Sequence, residues 1–260
     1  MRTIAIAGFA LACCTGPLAA DDLPELKAHG SLRVLATPEE YPDWFSLKAG
    51  PDPGFERELL EGFAQLQRLK LEVVLVNSFD LIIPALLEGR GDVIQGIIDT
   101  PARRTQIAFT AEVLPSRHLA ASLKSQSAPK TLAELRARKV GVVAGTTWAD
   151  VARANVPAGQ ITTFARGEDV LKALHTGTVN ATVFVLSEFL STRRVDPEID
   201  AGLFLGPRVS AAWGVRQKDV ELRRALDEYL GFKKQSMAWS QLVVKYFGSD
   251  ARRILNRVDE

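Results

Sequence analysis

From Leu32 onward, short apolar runs alternate with amphipathic stretches in an α/β rhythm. LRVLAT (32–37), LEVVLVN (71–77) and DVIQGII (92–98) read as buried strands. Between them, GFERELLEGFAQLQRLK (54–70) sets Phe55, Leu59, Phe63 and Leu66 along one helical stripe. SFDLIIPALLEG (78–89) reads as a helix capped by Ser78 and closed by Gly89. A second series follows. It runs through helix TLAELRAR (131–138), with Thr131 and Glu134 at capping-box spacing, strand VGVVAG (140–145) and helix TTWADVARAN (146–155). Strand ITTFA (161–165), helix GEDVLKALHTG (167–177) and strand NATVFVL (180–186) complete it.

The two series echo each other. ALLEGRGDVI (85–94) and ALHTGTVNATV (173–183) share Ala-Leu, a glycine three residues after the Leu, and then Asp92 or Asn180 three residues later, opening a strand. The recurrence predicts two similarly built lobes. RHLAASLKSQSAPK (117–130) and SAAWGVRQKD (210–219) read as extended connections, and helices over 220–234 and 237–248 close the chain. The simplest threading visits lobe 1 (25–118 and 215–260), crosses to lobe 2 (125–209) and returns, with hinge segments at 119–124 and 210–214. A cleft between two such lobes is a natural ligand site.

Composition narrows the function classes. The chain of 260 residues carries a formal net charge of +1, so no broad field draws nucleic acid or an anionic membrane. Its first residues, MRTIAIAGFALACCTGPLAADD, join one arginine to an apolar run too short for a membrane span, then to small residues and acids. Residues 1–20 therefore read as a secretory signal peptide, whose loss leaves 31 basic against 31 acidic residues. Both cysteines, Cys13 and Cys14, fall inside it, which leaves the exported chain without thiol chemistry or disulfides. A lipid anchor at Cys13 or Cys14 is the secondary reading, since the flanking residues fit a lipoprotein box poorly. His29, His118 and His175 lack metal-ligand spacing, AGTTW lacks the lysine of a phosphate loop, and no cofactor or metal is expected.

Several pieces in order carry a family resemblance: LRVLATPEEYPDWF, GFERELLEGFA, NSFDLIIPALLEGRGDVI, TPARRTQIAFT, KVGVVAGTT, VLKALHTGTVNATV and WGVRQKDVELRRALDEYL. Together they resemble the periplasmic solute-binding proteins of the polar-amino-acid type, extracellular solute-binding family 3, from about Leu32 to Gly248. The resemblance implies an α/β, type II periplasmic binding protein fold with two lobes, two extended crossings and a ligand cleft between them. It implies that Arg103 grips a ligand carboxylate, as a planar two-pronged donor does well, with Thr100 adding a hydroxyl. Across the cleft Thr146 and Thr147 would open a helix whose free N–H groups favour an anion. Tyr41, Phe79 and Trp148 are the expected walls. The implied partners are a carboxylate-bearing solute and an inner-membrane ABC permease, with the protein a periplasmic monomer.

One departure matters. The family's aspartate for a ligand α-ammonium falls here on Val185, which cannot pair with a cation, so ordinary α-amino acids are expected to bind weakly. Asp99 is the candidate substitute, although beside Arg103 it could equally neutralise that arginine. Other members of this resemblance class are dehydratases of cyclic carboxylates or are fused to lytic transglycosylases. Glu39, Glu40, Asp99 and Glu188 are the candidate acids for such chemistry, but no motif singles one out, no transglycosylase segment is expected after Glu260, and the chain is read as a binder and not an enzyme. A sensory module is the further alternative.

Overall fold

Helices long enough to cross a sheet separate the first strands, so those strands pair in parallel. The computed structural model describes residues 22–39 and 43–248. The chain begins with α1 (Leu23–His29), β1 (Ser31–Ala36), α2 (Phe55–Gln67), β2 (Lys70–Leu75), α3 (Ile82–Leu87) and β3 (Val93–Ile98). α4 (Pro101–Arg104), β4 (Ile107–Phe109) and β5 (Leu114–Leu123) lead out of the first lobe. The second lobe comprises α5 (Leu132–Arg136), β6 (Val140–Val143), α6 (Thr147–Asn155), β7 (Ile161–Phe164), α7 (Gly167–His175), β8 (Ala181–Val185) and α8 (Leu186–Val195). β9 (Ile199–Arg216) returns to the first lobe, where α9 (Val220–Lys234) and α10 (Met237–Phe247) finish the described chain.

The strands run β2-β1-β3-β9-β5-β8-β6-β7, with β4 on β9. At the centre β9 and β5 pair antiparallel, Leu114 opposite Ala211 and Leu123 opposite Ile199. On either flank lies a parallel triplet in the same local order, β2-β1-β3 on one side and β7-β6-β8 on the other. The sequence echo has its structural counterpart here. Asp92 Oδ2 accepts from Arg33 N, at 2.9 Å, and Asn180 Oδ1 accepts from Lys139 N, also at 2.9 Å. Each short polar side chain thus ties the start of one parallel strand to its neighbour, after a helix closed by a left-handed glycine, Gly89 at φ 76° or Gly177 at φ 73°.

The cores divide along the same line. Phe55, Phe63, Trp213 and Leu230 are fully or almost fully buried in the first lobe, beneath α2, α9 and α10, where Tyr229 meets Phe63 edge-on. Leu86, Ile94 and Ala212 belong to the packing on that sheet's other face, against α3. Val142, Ala149, Leu174 and Val183 anchor the second lobe. One core gives way to the other between Leu114 and Leu119 on β5, and between Ala211 and Ala212 on β9.

The structure departs from the periodic pattern at several points. Leu66 is 65% exposed although it was expected on the α2 stripe, because the helix stops at Arg68, in a left-handed turn, and Leu69 takes the buried place. The helix expected over 78–89 starts as a 3₁₀ turn at Phe79–Leu81, since Pro84 has no N–H for the carbonyl of Asp80 and its ring crowds that oxygen. α8 has no counterpart among the expected elements. Its inner face buries Ser191 and Thr192 beside Leu186 and Phe189, which breaks the apolar stripe. β9 also begins well before residue 210, because residues 199–209 pair with β5.

Candidate functional site

The Thr-Pro corner after β3 sets the first functional side chain. Thr100 Oγ1 accepts from Arg103 N at 3.2 Å and Pro101 presets the first turn, so α4 is a single tight turn. That turn aims Arg103 into the space between the lobes, where it is only 9% exposed. Its Nη1 donates to Ile98 O at 2.8 Å, its Nη2 donates to Gly145 O of the second lobe at 3.2 Å, and its guanidinium lies over the Phe79 ring. Burial lowers its pKa to about 10, which leaves it charged at neutral pH. Both described hydrogen bonds end on backbone carbonyls and none on a carboxylate. Asp99 is committed elsewhere, to the exposed Arg104.

Opposite stands the N-terminus of α6. Thr146 caps it, donating to Val143 O at 2.7 Å and facing Ala149 N. Gly145 precedes it at φ 72°, and a Cβ there would lie 2.7 Å from Asp80 Cβ, so only glycine lets the lobes meet so closely. Thr147 shares a 2.7 Å hydrogen bond with His118 Nε2. Burial, and then the charge of Arg103, lower the His118 pKa to about 4, so its ring is neutral at physiological pH. Trp148 packs edge-on against Phe184 and favours the ionised form of the Glu188 carboxyl.

Glu188 is the third residue of α8, at capping-box spacing from the N-cap Val185, whose backbone N–H favours its ionised form. Its Oε2 is sealed from solvent and meets no hydrogen-bond partner among the described residues. Burial raises its pKa to about 8, against the opposing pull of Trp148 and Arg103. Behind it Glu56 is wholly buried, and burial first, then the nearby Glu188, push its pKa well above the usual carboxylate range. Trp213 and the backbone of Gly96 favour the ionised form of Glu56, yet neither of its oxygens meets a well-formed hydrogen bond.

Arg103, Phe79, Thr146, Thr147, Trp148 and Val185 all line this cleft, together with Glu39, Gln95 and Glu188. Thr100 is not among its lining residues, and its hydroxyl serves α4 as a cap. Tyr41 and Glu40 lie outside the described residues, as do Cys13, Cys14 and the rest of residues 1–20. Val185 alone suggested a cleft without a partner for a cation. Instead Glu39 and Glu188 both face it. Sequence reasoning missed the roles of His118 and Glu56 altogether. A glutamate three residues past the end of an apolar strand was the one signal available for Glu188.

The sequence model of bacterial extracellular solute-binding proteins, family 3, matches residues 32–249. A membrane-bound lytic murein transglycosylase F from Alteromonas mediterranea is 27% identical over 95% of this chain and 56% of its own length. Among solved structures, a mutant of ArgBP from T. maritima superposes with TM-score 0.76 at 24% identity, covering 87% of this chain and 99% of that one. An ancestral amino acid-binding protein, AncCDT-1, described as a precursor of cyclohexadienyl dehydratase, gives TM-score 0.77 at 24% identity, covering 86% and 99%. These superpositions establish the two-lobe type II binding-protein fold. The reading of the chain as a non-enzyme is corrected by its curated relatives, which match over most of its length and carry an enzyme's name, at 24–28% identity. The chain spans about half the length of those relatives.

Proposed function

Because this chain belongs to the bacterial extracellular solute-binding proteins of family 3, we propose that its cleft captures a small carboxylate-bearing solute and hands it to an inner-membrane ABC-type permease. One observation carries the reading: Arg103 is a buried guanidinium whose described hydrogen bonds reach only carbonyls. A buried charge of this kind is costly unless an anion meets it. The free N–H groups of α6 lie on the opposite wall, so a carboxylate held between them draws the lobes together, and the ligand favours the closed population by touching both. Phe79 and Trp148 would flank the solute, Thr146 and Thr147 would bond it, and the lobes would pivot where β5 and β9 pass from one core to the other. Calorimetric titration with small carboxylates tests this. Wild type binds and Arg103→Ala does not; equal affinity in the two proteins removes Arg103 from the site.

A second reading is catalytic, and Glu188 favours it. A carboxyl with a pKa of about 8 carries its proton at neutral pH, and it lines the same cleft as the arginine. With a prephenate-like cyclic hydroxy-carboxylate held at Arg103, Glu188 would protonate the departing hydroxyl as its C–O bond breaks and water leaves, while the electron pair of the ring C–carboxylate bond forms the new double bonding and carbon dioxide departs, leaving Glu188 ionised. Turnover of prephenate-like substrates by wild type and its loss in Glu188→Gln would support this reading. An unchanged substrate would eliminate it.

A further inference from the structure

The cleft around Arg103 has a free volume of about 60 Å³, far below the roughly 300–1,000 Å³ usual for small-molecule sites. A second cavity, of about 330 Å³, adjoins it and shares three of its walls: Glu39, Trp148 and Gly167. The second space by itself lies within that range, whereas the cleft around Arg103 does not. We propose that the second cavity is a subsite for the tail of the ligand, which makes that ligand an elongated monocarboxylate larger than a bare organic acid. The proposal rests on the reading of Arg103 as the clamp for the head.

The chemistry of the second cavity specifies the tail. Leu171, Phe184 and the outer face of Trp148 supply apolar surface. Ser191 lines it with a hydroxyl that is sealed from solvent and unpartnered among the described residues, so a buried polar group there awaits a hydrogen bond. Glu39 and Glu168 border it, and Arg166 lies between them, 3.9 Å from Glu39 and 2.6 Å from Glu168. The two acids oppose a second carboxylate and Arg166, paired with both, opposes a cation, so the tail is uncharged, largely apolar, and carries one hydrogen-bonding group. The partition between the cavities is made of two side chains, Glu39 and Trp148, and the backbone of Gly167. Glu39 Oε1 accepts from Gly167 N at 3.3 Å and lies 3.9 Å from Arg166 Nε, contacts that a tail passing Trp148 would displace.

Titration of the full chain with N-acetylglycine and N-octanoylglycine separates head from tail. The longer probe binds tighter by roughly tenfold or more, the usual worth of added methylenes in an apolar pocket. Leu171→Trp fills the cavity and Val195→Trp, at an exposed rim position, narrows it from outside; each brings the longer probe down to the affinity of the shorter. Equal affinity of the two probes for wild type, no binding of the longer one, or an advantage that survives both substitutions overturns the proposal. Arg103→Ala reads the head alone. If it spares both probes, the carboxylate clamp is wrong, whereas a length preference abolished by filling the cavity still establishes the tail site.

Discussion

Arg103 and Glu188 line one cleft from opposite lobes, and each favours the charged form of the other. Burial outweighs that attraction at Glu188 and holds its proton up to about pH 8. A ligand bearing only a carboxylate therefore meets a neutral carboxyl at pH 7 and a like charge above the pKa. Its affinity should fall as pH rises through about 8, and the slope should vanish in Glu188→Gln. A zwitterion should show the reverse, since its ammonium needs the ionised form. Titrations between pH 6 and 9 with the two ligand types check both signs.

The same group links stability to pH. The folded pKa of Glu188 lies above its ordinary value of 4.5, so its contribution to stability is complete below about pH 4.5 and is lost as pH rises to about 8. Asp219, raised to about 6, acts in the same direction over a lower window. His118, lowered to about 4, opposes them: its contribution is present above pH 6.5 and is lost as pH falls towards 4. Denaturant unfolding should therefore show stability declining from pH 6.5 to 8, through Glu188, by up to about 1.4 kcal/mol per pH unit. Glu188→Gln should flatten this decline.

Asp92 and Asn180 occupy equivalent places but should differ in their worth. Asp92 is wholly buried, accepts from Arg33 N, Nε and Nη2, and lies 3.3 Å from Arg216 Nη2. Asp92→Ala removes a buried anion from both Arg33 and Arg216, the latter still paired with Asp219 at 2.7 Å, and should cost about 3–5 kcal/mol. Asn180→Ala loses the bond to Lys139 N and should cost about 1 kcal/mol. Urea midpoints of the two variants provide the comparison.

Gly145→Ala tests closure. Its Cβ would press on the Cβ and backbone of Asp80 in a left-handed conformation, which alone costs about 1–2 kcal/mol. The clash is relieved by holding the lobes apart, so ligand affinity should drop while the fold survives. Small-angle scattering should then record a larger radius of gyration that ligand does not reduce.

Thr147 depends on His118. The 2.7 Å bond fixes the hydroxyl at the α6 N-terminus, so His118→Ala frees it to rotate and leaves a polar group wanting a partner. Carboxylate affinity should fall by about 1 kcal/mol, several-fold, with Arg103 intact. A variant that binds as tightly as wild type would limit His118 to packing.

Much of this was legible along the chain. Alternating βα periodicity, the Gly and Asx pair repeated at 89/92 and 177/180, the Thr-Pro corner before Arg103 and the capped start of α6 are all local patterns, visible within a few residues of each other. What the amino-acid order left open was convergence. Glu39 meets Gly167 across 128 positions, and Glu56 underlies the cleft only because α2 packs beneath Gly96. Asp99 turns away to Arg104, and Glu188 reaches the cleft from a helix whose buried serine and threonine hide its stripe. Periodicity reports which face of one element is apolar. Which side chains share a buried space is decided by how β5 and β9 bring two separate cores together, and by the burial that then sets each group's charge.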